Sequence, residues 1–334
     1  MSFDPRHVKE ANRLLTAARS DRAARRAALE LQCRQALPEL EGLDRAIQGT
    51  VAKAIAAALQ QGSDPSAAVE QARRENLALQ QKRLELLKAA GIDPQDLDET
   101  PLCPICKDTG WHQGGLCQCV AQLAAAENVK ELERQLDLAQ FDFENFQLRW
   151  YDAGFDPKLG DSPRGLMGSV LTLCREYAQL FPRHPARNLF LYGGTGLGKT
   201  FLSGCIAKTV AQAGHWTVYT TAGELLGRYE DVKFNRDEDG SRQEDVRRYE
   251  NCDLLVLDDL GSEMTTPFVQ SALYQLLNQR MLAGKHTVIS SNLDMDMVRQ
   301  RYVPQVASRL EGEFQEILFV GRDIRLQKKE ERLG

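Results

Sequence analysis

The chain has 334 residues, of which 43% are hydrophobic and 27% charged, with a formal net charge of −5. That length predicts two domains, each able to bury a core, and the acidic balance excludes a protein that coats nucleic acid through a broad basic surface. No apolar run reaches the roughly 20 residues of a membrane helix, and the N-terminus MSFDPRHVKEANRLL lacks the apolar stretch of a secretory signal, so the expectation is a cytoplasmic protein without a membrane partner.

From about His7 to Ala90 the sequence is rich in Ala, Leu, Arg, Glu and Gln, which favours helix throughout. Leu40, Leu43, Ile47, Val51, Ile55 and Leu59 recur at steps of three and four and give one helix an apolar stripe. Pro38, the QGSDP segment at 61–65 and Gly91 divide the stretch into three helices, with Asp64 and Pro65 as cap and first-turn residue of the third. The product is a small bundle or hairpin. It either packs on the next domain or docks on a partner.

The segment PLCPICKDTGWHQGGLCQCV follows. Cys103-x-x-Cys106 and Cys117-x-Cys119 place four thiolates within a short stretch that can close tetrahedrally on Zn2+. Gly110, Gly114 and Gly115 allow the tight turn this needs, and metal binding would supply the energy that folds a stretch with little core of its own. His112 is an alternative fourth ligand. A redox Cys-x-x-Cys is the rival reading, but it has no need of the second pair. Cys33, Cys174, Cys205 and Cys252 are scattered, as reduced residues in apolar surroundings are. A helical stretch from about Val120 to Leu138 then leads into AQFDFENFQLRWYD, an aromatic linker pinned to what comes next.

From about Ser162 five short apolar runs, NLFLYG, HWTVYTT, LLVLDD, HTVISSN and EILFVG, are separated by connections long enough for helices. That alternation predicts a parallel sheet covered on both faces, with two domains joined near residue 150. Between the first run and its helix lies Gly193-x-x-x-x-Gly198-Lys199-Thr200, a complete phosphate-binding loop in the context the motif requires. Gly193, Gly194, Thr195, Gly196, Leu197 and Gly198 would wrap the phosphates with backbone N–H groups, Lys199 would reach the β- and γ-phosphates, and Thr200 would offer its hydroxyl to Mg2+. LLVLDDLGSE supplies the acids: Asp258 to hold Mg2+ opposite Thr200, and Asp259 to orient or deprotonate the attacking water. Asn292, after the HTVISS strand, is placed to hold that water or the γ-phosphate. Arg309, on a later helix, is either a surface ion-pair residue or a finger that reaches a neighbouring subunit's γ-phosphate.

The order of these motifs resembles the AAA+ ATPases. GGTGLGKTFLSGCIAK, VYTTAGELL, VLDDLGSE, ISSNL and SRLEG resemble, more closely, the DnaC/DnaI family of bacterial replicative helicase loaders over about residues 140 to 325, whose core is shared with the IstB-type transposition ATPases. FDFENF is similar to the aromatic linker of that family, and CPICKDTGW with CQC is similar to the zinc-binding region of the DnaI-type loaders. The resemblance implies an α/β AAA+ P-loop domain with a five-stranded parallel sheet, preceded by an α-helical N-terminal domain with a small zinc-binding module. The boundaries it implies are 1–98 for the helical partner-binding region, 99–120 for the zinc module, 121–160 for the helix and aromatic linker, and 161–334 for the ATPase domain. It implies ATP and Mg2+ at Lys199, Thr200 and Asp258, and catalytic roles for Asp259, Asn292 (sensor 1) and Arg309 (arginine finger). Arg228, Tyr229, Lys233 and Phe234 fall where initiator-type relatives face single-stranded DNA. Two departures stand out: the usual glutamate is Asp259 here, with Glu263 as a second candidate, and too few residues follow Arg309 for a full lid domain, with Arg325 in a sensor-2-like place. The implied function is ATP-dependent loading of the replicative hexameric helicase onto single-stranded DNA by a protein that assembles into a homo-oligomer when ATP-bound. The alternative is an IstB-like ATPase that assists a transposase on duplex DNA.

Overall fold

The computed structural model describes residues 3–59, 66–97, 100–234, 236 and 240–333, so the Asp64 and Pro65 cap lies outside the described residues. Two compact units form: Asn12–Cys117, and Met1–Ala11 together with Gln118–Gly334. The seam falls well before residue 150, where the sequence places it. The reason is packing: Leu132, Leu138, Phe143, Phe146 and Tyr151, from the helix and aromatic linker after the seam, join the same core as Met167, Val170, Leu202 and Ile206 further along the chain.

Three long helices open the chain, α1 (Pro5–Ala36), α2 (Pro38–Leu59) and α3 (Ser66–Ala89). Cys33, Leu40 and Leu87 are the centre of the small core that α1, α2 and α3 share. The stripe on α2 is covered only over its first turns: Leu40 and Leu43 are buried, while Val51, Ile55 and Leu59 are exposed. A two-stranded hairpin follows, β1 (Trp111–His112) paired antiparallel with β2 (Gly115–Leu116).

The larger unit begins with α4 (Gln118–Gln135) and α5 (Pro163–Leu180). Ser162 caps α5 by accepting a hydrogen bond from the Gly165 N–H at 3.0 Å, with Pro163 in the first turn. Strands and helices then alternate: β3 (Asn188–Gly193), α6 (Lys199–Gln212), β4 (Thr217–Thr221), α7 (Ala222–Lys233), α8 (Ser241–Asn251), β5 (Leu254–Leu260), α9 (Pro267–Leu282), β6 (His286–Ser291), α10 (Met295–Arg301), α11 (Pro304–Glu313), β7 (Phe314–Phe319) and α12 (Ile324–Leu333). All five expected strands form, and they pair in parallel in the order β4-β5-β6-β3-β7. Alternate residues feed two cores: Leu254 and Val256 join the helices of one face, Leu255 and Leu257 those of the other. Because β3 lies between β6 and β7 while the chain runs from it to β4 at the far edge, strand order reverses beside β3. The crevice at the carboxyl ends of β3, β5 and β6 is therefore where a ligand belongs. No helix among the described residues is long and apolar enough to cross a membrane.

The first residues of the chain are tied to this unit by buried charge. Arg248 on α8 donates to both Asp4 and Glu131, and His7 Nε2 lies 2.8 Å from Glu131 Oε2. Burial pushes the Glu131 carboxyl up, but the His7 hydrogen bond and the Arg248 guanidinium outweigh it and hold it at about 2, below its ordinary 4.5. A depressed carboxylate contributes stability above its unfolded value and loses it as pH falls towards the folded one. Wild-type stability is thus expected to drop by about 3 kcal/mol as pH falls from 4.5 towards 2. Denaturant titrations of Glu131→Gln across that range should show a flatter profile; an unchanged slope would assign the acid sensitivity elsewhere.

Candidate functional site

The loop between β3 and α6 is shaped by two close approaches. A Cβ at Gly193, whose φ is 139°, would stand 2.3 Å from the Phe319 backbone oxygen on β7. At Gly198, φ 93°, it would stand 2.9 Å from the Phe146 ring of the aromatic linker. Gly198 caps α6 without a side chain of its own, which leaves the first-turn N–H groups of that helix facing the loop. The loop is braced from both sides: the Tyr151 hydroxyl donates to the Leu197 carbonyl at 2.8 Å, and the Ile324 N–H donates to the Gly196 carbonyl at 3.0 Å.

Lys199 Nζ donates to the carbonyls of Gly193 and Gly194 at 2.8 and 2.6 Å and to Asn292 Oδ1 at 2.8 Å. The other end of the Asn292 amide donates to Asp259 Oδ1 at 3.1 Å. Asn292 therefore links the lysine of the loop to the candidate base. Beside this pair, Thr200 Oγ1 donates to Asp258 Oδ1 at 3.2 Å, the Tyr219 hydroxyl donates to Asp258 Oδ2 at 2.7 Å, and Ser290 Oγ also donates to Asp258. Three hydroxyls thus fix a nearly buried carboxylate within reach of the threonine that would share its Mg2+.

The two neighbouring acids stand in different settings because β5 breaks its register between Leu257 and Leu260. Asp259 takes a left-handed backbone with φ 58°, costly for a residue with a side chain, and its N–H is held by Ser290 Oγ at 3.0 Å. Without the bulge, strand alternation would send one carboxylate to each face of the sheet. With it, both line one cavity of about 700 Å³, together with Thr195, Gly198, Lys199 and Asn292.

Among the other candidates, Gly196, Leu197 and Thr200 line this cavity, and so does Arg325 on α12. Gly193 and Gly194 supply the carbonyls that hold Lys199. Arg309 stands apart: on α11 it donates to Asn278 at 3.0 Å and does not line the cavity of its own chain. Glu263 is also outside, with one carboxylate oxygen accepting the Gly261 N–H at 2.8 Å and the other the Tyr302 hydroxyl, so of the two candidate bases Asp259 is the one that lines the cavity. Of the four residues expected to face DNA, Arg228 pairs with Glu224 and Asp245, and the largely buried Tyr229 donates its hydroxyl to Glu250 at 3.3 Å. Lys233 and Phe234 are the two that remain exposed.

Sequence reasoning missed Tyr219 and Ser290, which hold Asp258, and the role of Phe146, Trp150 and Tyr151 as a wall of the cavity. Tyr219 lies 39 positions from Asp258. Only the β4–β5 register, in which Thr221 pairs with Asp258, brings them together.

Burial lowers the Lys199 pKa to about 8, against the opposing pull of Asp258 and Asp259 and with a further push from Arg325. Bound phosphates would restore its charge and raise that value. Nucleotide affinity is therefore expected to be full below pH 8 and to fall as pH rises through 8, with proton uptake on binding. Calorimetry at pH 8.5 in buffers of different ionisation enthalpy reads this; a buffer-independent enthalpy would contradict it.

The sulfurs of Cys103, Cys106, Cys117 and Cys119 all lie within 4.8 Å of one another, and none forms a disulfide. Zn–S bonds of about 2.3 Å at tetrahedral angles set the sulfurs about 3.8 Å apart. Cys103 and Cys117 Sγ are 3.7 Å apart, so the donors fit zinc in kind, number and spacing. Lys107 and Asp108 take left-handed turns at φ 51° and 64°, and the Asp108 carboxylate accepts the N–H groups of Leu102 and Cys103 at 3.0 and 2.8 Å. His112, exposed on β1, is not in the cluster.

The sequence profile of the family described as IstB-like ATP binding protein matches residues 119–307. The chain is similar to the replicative helicase loader DnaI of Bacillus subtilis, 27% identical over 154 residues that cover 44% of this chain and 48% of DnaI. It is also similar to the chromosomal replication initiator protein DnaA of Aliarcobacter butzleri, 30% identical over 108 residues that cover 31% of this chain and 23% of DnaA. The chain thus spans about a quarter to half the length of these curated relatives. Among solved structures, that of the DnaC helicase loader superposes with a TM-score of 0.43 at 20% identity, covering 53% of this chain and 98% of that one.

Proposed function

The chain belongs to the family of IstB-like ATP binding proteins, and from that premise we propose that it is an AAA+ ATPase that loads a replicative DNA helicase onto single-stranded DNA. The observation that carries the ATPase reading is the Lys199–Asn292–Asp259 bridge, set beside the Thr200–Asp258 pair at the carboxyl ends of parallel strands. In this reading Lys199 exchanges its carbonyl partners for the β- and γ-phosphates. Thr200 and Asp258 hold Mg2+, Asp259 takes the proton of the attacking water, and Asn292 orients that water. The linker aromatics shield the cavity. Arg309, away from its own chain's cavity, acts on the nucleotide of a neighbouring copy in the ATP-bound oligomer. Cys103, Cys106, Cys117 and Cys119 would hold zinc, and its binding would tie the two Cys pairs into one folded module.

The helicase assignment is supported by the similarity to a protein named replicative helicase loader and by the reach of the family match, which begins at Cys119 and leaves the helical unit outside it. The cysteine pairs resemble the zinc-binding region of the DnaI-type loaders, a module that the transposition ATPases are not expected to carry. The family description favours a second reading, a transposase-assisting ATPase on duplex DNA. Size-exclusion chromatography of the full-length protein with the host's replicative helicase separates the two. A stable complex and preference for single over double strands are expected. No complex together with a preference for duplex would support the transposition reading.

A further inference from the structure

Between residues 12 and 36, α1 carries six arginines against only Asp21 and Glu30, a basic island in a chain whose net charge is −5. Arg19, Arg22 and Arg26 follow at steps of three and four and so share one face of the helix. Those three arginines line a cleft of about 400 Å³ within the helical unit, and Lys107 lines it as well. Lys107, which directly follows Cys106 and takes a left-handed backbone, is the fourth cation in this lining. Among the described residues of the lining Asp108 is the one acid, and its two oxygens already accept the Leu102 and Cys103 N–H groups. Arg22 is steadied by a 3.1 Å hydrogen bond to Thr100 Oγ1, and Arg26 by Glu30 one turn on, at 3.3 Å.

We propose that this cleft holds the phosphodiester backbone of a single-stranded nucleic acid. The three arginines span seven residues of helix, about 10 Å. That length accommodates a short run of consecutive phosphates along a strand. Arginine forks suit phosphate oxygens, and Pro101 and the exposed Leu102 give the same cleft an apolar surface for sugars and bases. A carboxylate-rich peptide would meet the same charges and is the alternative that the competition arm of the test separates. The site lies in the helical unit and owes nothing to the nucleotide cavity, so its failure would leave the ATPase reading untouched.

The test is fluorescence anisotropy of a labelled oligothymidine of about 20 nucleotides, titrated with the full-length protein between about 50 and 200 mM salt. Changing Arg19, Arg22 and Arg26 together to Gln should weaken binding about tenfold at the lower salt and reduce the slope of log affinity against log salt by about 2, at about 0.7 for each lost contact. Arg25→Gln, on the same helix but outside the cleft, should change neither. Should the triple variant lose its circular-dichroism helicity, Lys107→Gln alone should still lower the slope by about 0.7. Unchanged affinity and slope would overturn the proposal, and so would an equal loss in Arg25→Gln. Displacement of the strand by polyglutamate at matched ionic strength would give the cleft to an acidic peptide, and displacement by pyrophosphate to a free phosphate compound; either would overturn the strand assignment.

Discussion

Lys199→Ala is expected to lower ATP turnover by about 100-fold or more, the scale seen when a preorganised charge at a transition state is removed. The ammonium group is the point where the loop carbonyls, Asn292 and, through it, Asp259 converge. Its loss would remove both the charge proposed to meet the phosphates and the hydrogen-bond partner of Asn292. Nucleotide affinity should fall along with turnover, because the same contact serves the bound ground state. Asp259→Asn is the informative contrast. Its side-chain oxygen can still accept from Asn292, so binding should persist while turnover falls, as expected for the group that takes the water's proton. If Asp259→Asn hydrolysed ATP at the wild-type rate, the base would have to be another residue.

Cys106→Ser is expected to remove zinc altogether and to unfold the hairpin around it. Structural zinc contributes about 10–16 kcal/mol of binding free energy that is also folding free energy, and the stretch from Leu102 to Leu116 is otherwise held by a two-residue strand pair, a few turn bonds and the side-chain bonds of Asp108 and Thr109. Elemental analysis should give one zinc per wild-type chain and none per variant, and hydrogen exchange should report lost protection across residues 101–117. Cys33→Ala, in the helical core and remote in sequence from the cluster, should leave the zinc content unchanged. A variant that kept its zinc would disqualify Cys106 as a ligand.

The sheet and the phosphate loop were legible because their signals are local. Five apolar runs, a glycine-rich loop after the first and paired acids after the third are all read within a few residues, and the structure sets them side by side as parallel strands do. What could not be read depends on register and on cover. Tyr219 and Ser290 reach Asp258 only through the pairing of β4 and β6 with β5. Asp258 and Asp259 share a cavity only because β5 bulges between them, and nothing in LLVLDD announces the bulge. The stripe on α2 was correct as a pattern, but periodicity names a face and not what covers it, and Val51, Ile55 and Leu59 are exposed. Arg228 and Tyr229 read as a surface for nucleic acid, yet Asp245 and Glu250, supplied by the neighbouring α8, already engage them. The seam between the two units lies after Cys117 because the linker aromatics bury themselves against α5 and α6, a choice made by packing and not by composition.

The most direct test of an ATP-timed loader is the transfer of the host's hexameric helicase onto a closed circle of single-stranded DNA by the full-length protein. Wild type with ATP and Mg2+ should load the ring, and Lys199→Ala should load it at least about tenfold more slowly, in line with the loss of phosphate contacts. Loading by Lys199→Ala at the wild-type rate would contradict the coupling of this site to the helicase.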